Sequence, residues 1–137
     1  MKRLRLILQT LVITLSFTAL CSCGSVSEIP SDLSSAQLLQ EGQKAYSMGS
    51  YDVAEQYYLE TVKRFGDDTQ TYIEARYELG HLYIKTKDYR KAYANFTEIL
   101  SIYDVAPVGT LPPAYKKLSD IGLSKIPASE LEKIKAN

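Results

Sequence analysis

The sequence predicts an all-α protein built from a repeated helical hairpin. Three observations carry that reading. Between Ala36 and Tyr103, apolar residues recur at steps of three and four, the period of one helix face. No stretch sustains the period-two alternation of a half-buried strand. The region also repeats itself: moved on by 38 residues, Gly42 falls on Gly80, Tyr51 on Tyr89, Ala54 on Ala92, Tyr58 on Phe96, Val62 on Leu100 and Phe65 on Tyr103.

The chain opens with an address. Lys2, Arg3 and Arg5 precede a run from Leu6 to Leu20 that is almost wholly apolar or small. A charged start and a run of this length read as a secretory signal; a membrane span needs about 20 apolar residues. The sequence Leu20-Cys21-Ser22-Cys23-Gly24 resembles the bacterial lipobox. Residues 1–22 are therefore expected to be a lipoprotein signal peptide, and Cys23 the lipidated residue. Cys21 competes for that role but would place Leu20 where a small residue is wanted; Cys23 has Ser22 there. The other readings are an uncleaved anchor or plain secretion. The resemblance implies a bacterial membrane lipoprotein carrying palmitate-type acyl chains. Gly24, where an Asp favours inner-membrane retention, leans toward the outer membrane, facing the periplasm.

The next segment, residues 23–35, is rich in Ser with one Pro, and reads as a flexible tether. Ser34 or Ser35 suits the N-cap of the first helix. Helices are expected over 36–48, 51–65, 71–86 and 89–103, with turns at Gly49-Ser50 and Lys87-Asp88 and with Gly66 as a C-terminal cap. Residues 36–104 thus hold two copies of the unit. Residues 105–137 begin with a helix-breaking run, A-P-V-G-T-L-P-P. A helix restarting at Pro112 or Pro113 would carry Tyr115, Leu118, Ile121 and Ile126 inward and cap the open end of the stack. A last short helix is expected over 128–135.

The second copy holds Leu79-Gly80-x2-Tyr83, Tyr89, Ala92 and Phe96; the first holds Gly42, Ala45, Gly49, Tyr51, Ala54 and Tyr58. This pattern resembles the tetratricopeptide (TPR) repeat, with four residues added around Gly66–Gln70 to the usual period of about 34. Lengthened repeats of this kind resemble those of bacterial outer-membrane-assembly lipoproteins. The resemblance implies an α-solenoid of about two and a half repeats, whose first helices line a concave groove. Leu39, Gln43, Tyr46, Tyr77, His81 and Lys85 fall at groove positions.

Composition removes several function classes. Lys plus Arg and Asp plus Glu balance at 16 each, so no strong field points to nucleic acid. Without Lys2, Arg3 and Arg5 the balance is 13 against 16, a net of −3. The chain has one His and two Cys, both Cys in the N-terminal segment, so neither a metal site nor a thiol nucleophile is expected. Asp67-Asp68 lacks the spaced oxygen ligands of a calcium loop and reads as a solvated turn. Glu74 and Glu78, one turn apart, repel unless Arg76, Lys85 or water screens them. No nucleophile–base pair or phosphate loop stands out. The expected function is non-enzymatic, without metal or cofactor: a membrane-anchored scaffold docking another envelope protein or peptide segment. The alternative is a small-ligand-binding accessory lipoprotein of a transporter.

Overall fold

The computed structural model describes residues 28–136. The signal segment, Cys21 and Cys23 lie outside them. Six helices follow one another, and no strand occurs among the described residues: α1 (Ser35–Ser47), α2 (Tyr51–Phe65), α3 (Thr69–Thr86), α4 (Tyr89–Val105), α5 (Ala114–Ser124) and α6 (Ala128–Lys135). The fold is all-α, and the four expected hairpin helices are all present.

Local chemistry sets the boundaries. Ser34 caps α1 in a capping box: its hydroxyl accepts from the Gln37 N–H, and the Gln37 side chain accepts from the Ser34 N–H at 2.9 Å. Asp68 caps α3 by accepting from the Thr71 N–H at 2.7 Å, which holds its carboxyl below the usual carboxylate range. Half of the acidic pair in that turn therefore builds a helix rather than merely meeting solvent. Gly66 ends α2 with right-handed angles (φ −64°), so no left-handed cap forms there. Both hairpin turns hold a left-handed residue, and Gly109, in the connection before α5, is a third. Gly49, after α1, has φ 79°; Lys87, its counterpart after α3, has φ 63°.

The same lock closes each hairpin. A β-carbon on Gly42 would stand 2.4 Å from the Tyr58 ring, and one on Gly80 would stand 2.6 Å from the Phe96 ring. Each glycine lets an aromatic of the following helix lie against helix backbone. Ala54 and Ala92, one turn earlier on the same helices, are fully buried. Sequence and geometry thus repeat together. Burying Tyr58 and Phe96 stabilises by about 1.5–3 kcal/mol each in transfer terms.

Consecutive helices pack as neighbours from α1 to α5. The odd-numbered helices also pack side by side, α1 on α3 and α3 on α5, whereas α2 and α4 make no direct backbone approach. A single ion pair, Lys91 Nζ to Glu55 at 3.2 Å, spans α2 and α4. Helix α5 closes the stack. Its Gly122 meets the same Phe96 ring that Gly80 meets (2.4 Å from a notional β-carbon), and Ser119 and Ile126 are buried. Ile121, expected on the inner face, is 43% exposed instead. The close approach at Gly122 sets the helix rotation, and a residue one step away turns about 100° outward.

The segment before α1 is anchored. Arg64 donates to the carbonyls of Pro30 (2.7 Å) and Ile29 (3.2 Å) while its Nε pairs with Glu60 at 2.7 Å. The end of the tether is thereby tied to the last turn of α2.

A candidate interaction face on the odd-numbered helices

Helical spacing alone places Tyr77 and His81 on one side of α3. The rings lie nearly parallel, 8° apart, with centroids 6.2 Å apart. Side-by-side packing of α1, α3 and α5 extends the pair in both directions. Tyr46 of α1 comes to 5.3 Å from the His81 ring, and Tyr51 meets Tyr46 at 5.5 Å. On the other flank Tyr115 of α5 meets Tyr77 edge-on at 5.5 Å. The result is a continuous row of five rings, Tyr51–Tyr46–His81–Tyr77–Tyr115, each half-buried.

The six sequence-derived groove residues divide on this face. Tyr46, Tyr77 and His81 form its centre. Gln43 is exposed beside them and donates from Nε2 to Glu78 at 2.9 Å, a bond between α1 and α3. Lys85 is exposed one turn beyond His81. Leu39 is only 6% exposed and belongs to the core cluster, so it supports the face from beneath. Tyr51 and Tyr115 were not among the six. Tyr51 sits at a repeat position that reads as packing, and Tyr115 belongs to the capping helix. Only the packing of α5 on α3 brings Tyr115 into line.

Two carboxylates colour the face. Glu74 and Glu78 share one side of α3, both half-buried. Arg76, a candidate to screen them, turns away: its guanidinium lies 4.9 Å over the Tyr72 ring and donates to Asn95 at 3.2 Å. Burial, then Glu74 and Glu78, push the Tyr115 hydroxyl up to about 12. Burial also raises Tyr46 and Tyr77, with Glu78 adding to both. His81 is lowered, first by burial and further by Lys125 and Lys85, against an opposing pull from Glu78. Its imidazole is thereby held more neutral than a free histidine. The row is polar along its length, with Glu74 and Glu78 acting toward Tyr77 and Tyr115 and Lys85 and Lys125 acting on His81.

Beneath the row lies Tyr58, fully buried. Its ring passes Gly42, and its hydroxyl makes no hydrogen bond of acceptable geometry. Glu78 is the charge that acts on it most strongly; burial first, then that carboxylate, raise its titration point. Two hollows lie elsewhere. One of about 190 Å³ is lined by Glu41, Met48, Val53 and Tyr57, among others, and one of about 250 Å³ by Glu55, Tyr83, Asp88 and Lys91, among others. Among the described residues, no three His, Cys, Asp or Glu side chains gather into a metal-binding group. No described helix is long and apolar enough to cross a membrane.

The chain is 34% identical over 110 residues to an uncharacterized protein of Treponema pallidum (strain Nichols). The match covers 78% of this chain and 44% of the relative, so the chain spans less than half of that protein's length. No protein-family model matches the chain, and no solved structure matches it.

Proposed function

We propose that this chain is a membrane-tethered scaffold of the bacterial cell envelope, a TPR-like array that docks a segment of another protein on its odd-numbered helices. The observation that carries the reading is the aromatic row. Five half-buried rings, four of them from α1, α3 and α5 and one from the start of α2, form one surface, and such surfaces are enriched in tyrosine because it combines apolar area with a polar tip. The repeated glycine–aromatic lock supports a TPR-like stack of about two and a half units. The closer packing among α1, α3 and α5 than between α2 and α4 supports curvature toward the odd-numbered side, where a groove would lie. An extended or helical segment suits such a groove.

In this reading Cys23 carries the lipid and the domain faces the periplasm from the outer membrane. More than one acyl chain gives stable anchoring, at about 0.8 kcal/mol per buried methylene. The protein acts without cofactor or metal and is not an enzyme. A small-ligand carrier would need an enclosed pocket, and such pockets run to roughly 300–1,000 Å³; the two hollows described above are open and smaller than that.

Two experiments test the proposal. Cys23→Ser should abolish acyl labelling and release the protein from membranes; labelling that persists moves the role to Cys21 or ends the lipoprotein reading. A photo-cross-linking residue at position 85 in living cells should capture a discrete partner species. Tyr46→Ala plus Tyr77→Ala should remove that species while the helical content stays intact.

A further inference from the structure

Among the described residues, Glu74 and Glu78 are the half-buried acidic residues without an ion pair; the exposed ones that lack one are served by water. Glu41 pairs with Lys44, Glu55 with Lys91, Glu60 with Lys63 and Arg64, Asp104 with Lys116 and Glu130 with Lys133. Glu74 and Glu78 are half-buried, lie on the interaction face and have no such pair. Glu78 receives the neutral Gln43 amide, which brings no compensating charge. Holding two like charges one turn apart without a counter-ion is unfavourable, and their partial burial adds a desolvation cost. The Tyr58 hydroxyl is buried beneath the face, faces the same carboxylate and makes no hydrogen bond of acceptable geometry, so it brings no charge to balance Glu78. Around these groups stand Tyr77, Tyr46 and Tyr115, whose rings attract cations.

We propose that this part of the face binds the guanidinium of an arginine carried by the docked segment, the plane stacking on the tyrosine rings and the N–H groups donating to Glu74 and Glu78. The inference rests on the docking reading above and names the chemistry of its partner. Arginine suits the site better than lysine. Its planar fork stacks on rings and presents five donors, enough to reach two carboxylates whose β-carbons stand about 5–6 Å apart. An ammonium is a single, strongly hydrated point. The basic groups near the row, Lys85 and Lys125, act on His81 in the middle of the row. They set the register: an arginine at the Tyr77–Tyr115 end, and a neutral or acidic side chain opposite His81 and Lys85.

The chain's single histidine makes the test clean. The probe is a blocked arginine dipeptide amide, titrated into the full lipidated chain in detergent, and the His81 ring resonances are followed by NMR. The expected result is a saturable shift that the matching citrulline dipeptide, of similar shape without the charge, does not produce. Glu74→Gln plus Glu78→Gln should weaken the arginine response roughly tenfold or more, as loss of close charge partners does. An equal response to citrulline, or an unchanged response in the double variant, overturns the inference. Glu74→Gln alone leaves the Gln43–Glu78 bond in place and should weaken binding severalfold, so the test survives if the double variant unfolds. Cross-linking separates the two proposals. If Tyr46→Ala plus Tyr77→Ala removes the partner and the Gln variants do not, docking stands and the arginine site falls. If the Ala variants leave the partner in place, docking falls.

Discussion

Lys87 occupies the same point of its hairpin as Gly49 does in the first, and both backbones are left-handed, φ 63° and 79°. Only the glycine takes that conformation without steric cost. A left-handed residue with a β-carbon costs roughly 1–2 kcal/mol. Lys87→Gly is therefore expected to stabilise the protein by about 1 kcal/mol, less the extra chain entropy of glycine when unfolded. Gly49→Lys should cost a similar amount. Chemical denaturation of both variants checks this; a destabilised Lys87→Gly would mean that the lysine side chain holds the turn.

Gly80→Ala and Gly122→Ala, on two different helices, both push a methyl group into Phe96. The notional β-carbons lie 2.6 and 2.4 Å from the ring, and neither approach is cushioned by a flexible chain end. Overpacking typically costs about 1–3 kcal/mol, and the helix preference of alanine over glycine returns up to about 1. A net loss of about 1–2 kcal/mol is expected for each, read as a lower melting temperature. Phe96→Leu should relieve part of the Gly80→Ala penalty, so a double-mutant cycle should show coupling.

Tyr58→Phe is expected to be neutral or mildly stabilising. The hydroxyl is buried and makes no hydrogen bond of acceptable geometry, so its removal takes away a desolvated polar group at little loss of packing. Equilibrium unfolding is the measurement. A loss above about 1 kcal/mol would show that the hydroxyl is satisfied through Glu78 or a bridging water.

His81 links the face to pH. Burial lowers its titration point in the folded chain below the ordinary value of 6.5. The unfolded chain then binds the proton more readily, so stability rises with pH through the window between the folded and unfolded values and is lost as pH falls below about 6.5. His81→Gln should flatten this part of the stability profile relative to the parent. Tyr46→Ala, which removes a ring 5.3 Å from the imidazole, should raise the titration point by exposing it. An NMR titration of His81 that gives an ordinary or raised value would contradict this.

Much of the architecture was legible in the sequence because a few residues do one job twice. Gly42 with Tyr58 and Gly80 with Phe96 sit at equal spacing, and each pair forms the same lock. The last helix matches its expected range, 128–135, because Pro127 fixes its start. The tail was harder. Ile121 reads as a core residue by hydropathy, yet contact between Gly122 and Phe96 decides which way α5 faces, and that contact is made across helices. The tether reads as loose from its serines; nothing local announces that Arg64, far along the chain, holds the carbonyls of Ile29 and Pro30. The interaction face was half legible. Tyr77 and His81 share a face by spacing alone, but Tyr115 joins them only through packing of α5, and the departure of Arg76 toward Tyr72 and Asn95 leaves Glu74 and Glu78 without that cation.

The central claim is that the odd-numbered helices dock a partner through the aromatic row. It is tested most directly by photo-cross-linking in intact cells from position 85, at the edge of the row, and from position 63, on α2. The account predicts a discrete partner adduct from position 85 and none from position 63, with the adduct lost in Tyr46→Ala plus Tyr77→Ala protein of unchanged helical content. The same adduct from both positions, or one that survives the double substitution, would contradict it.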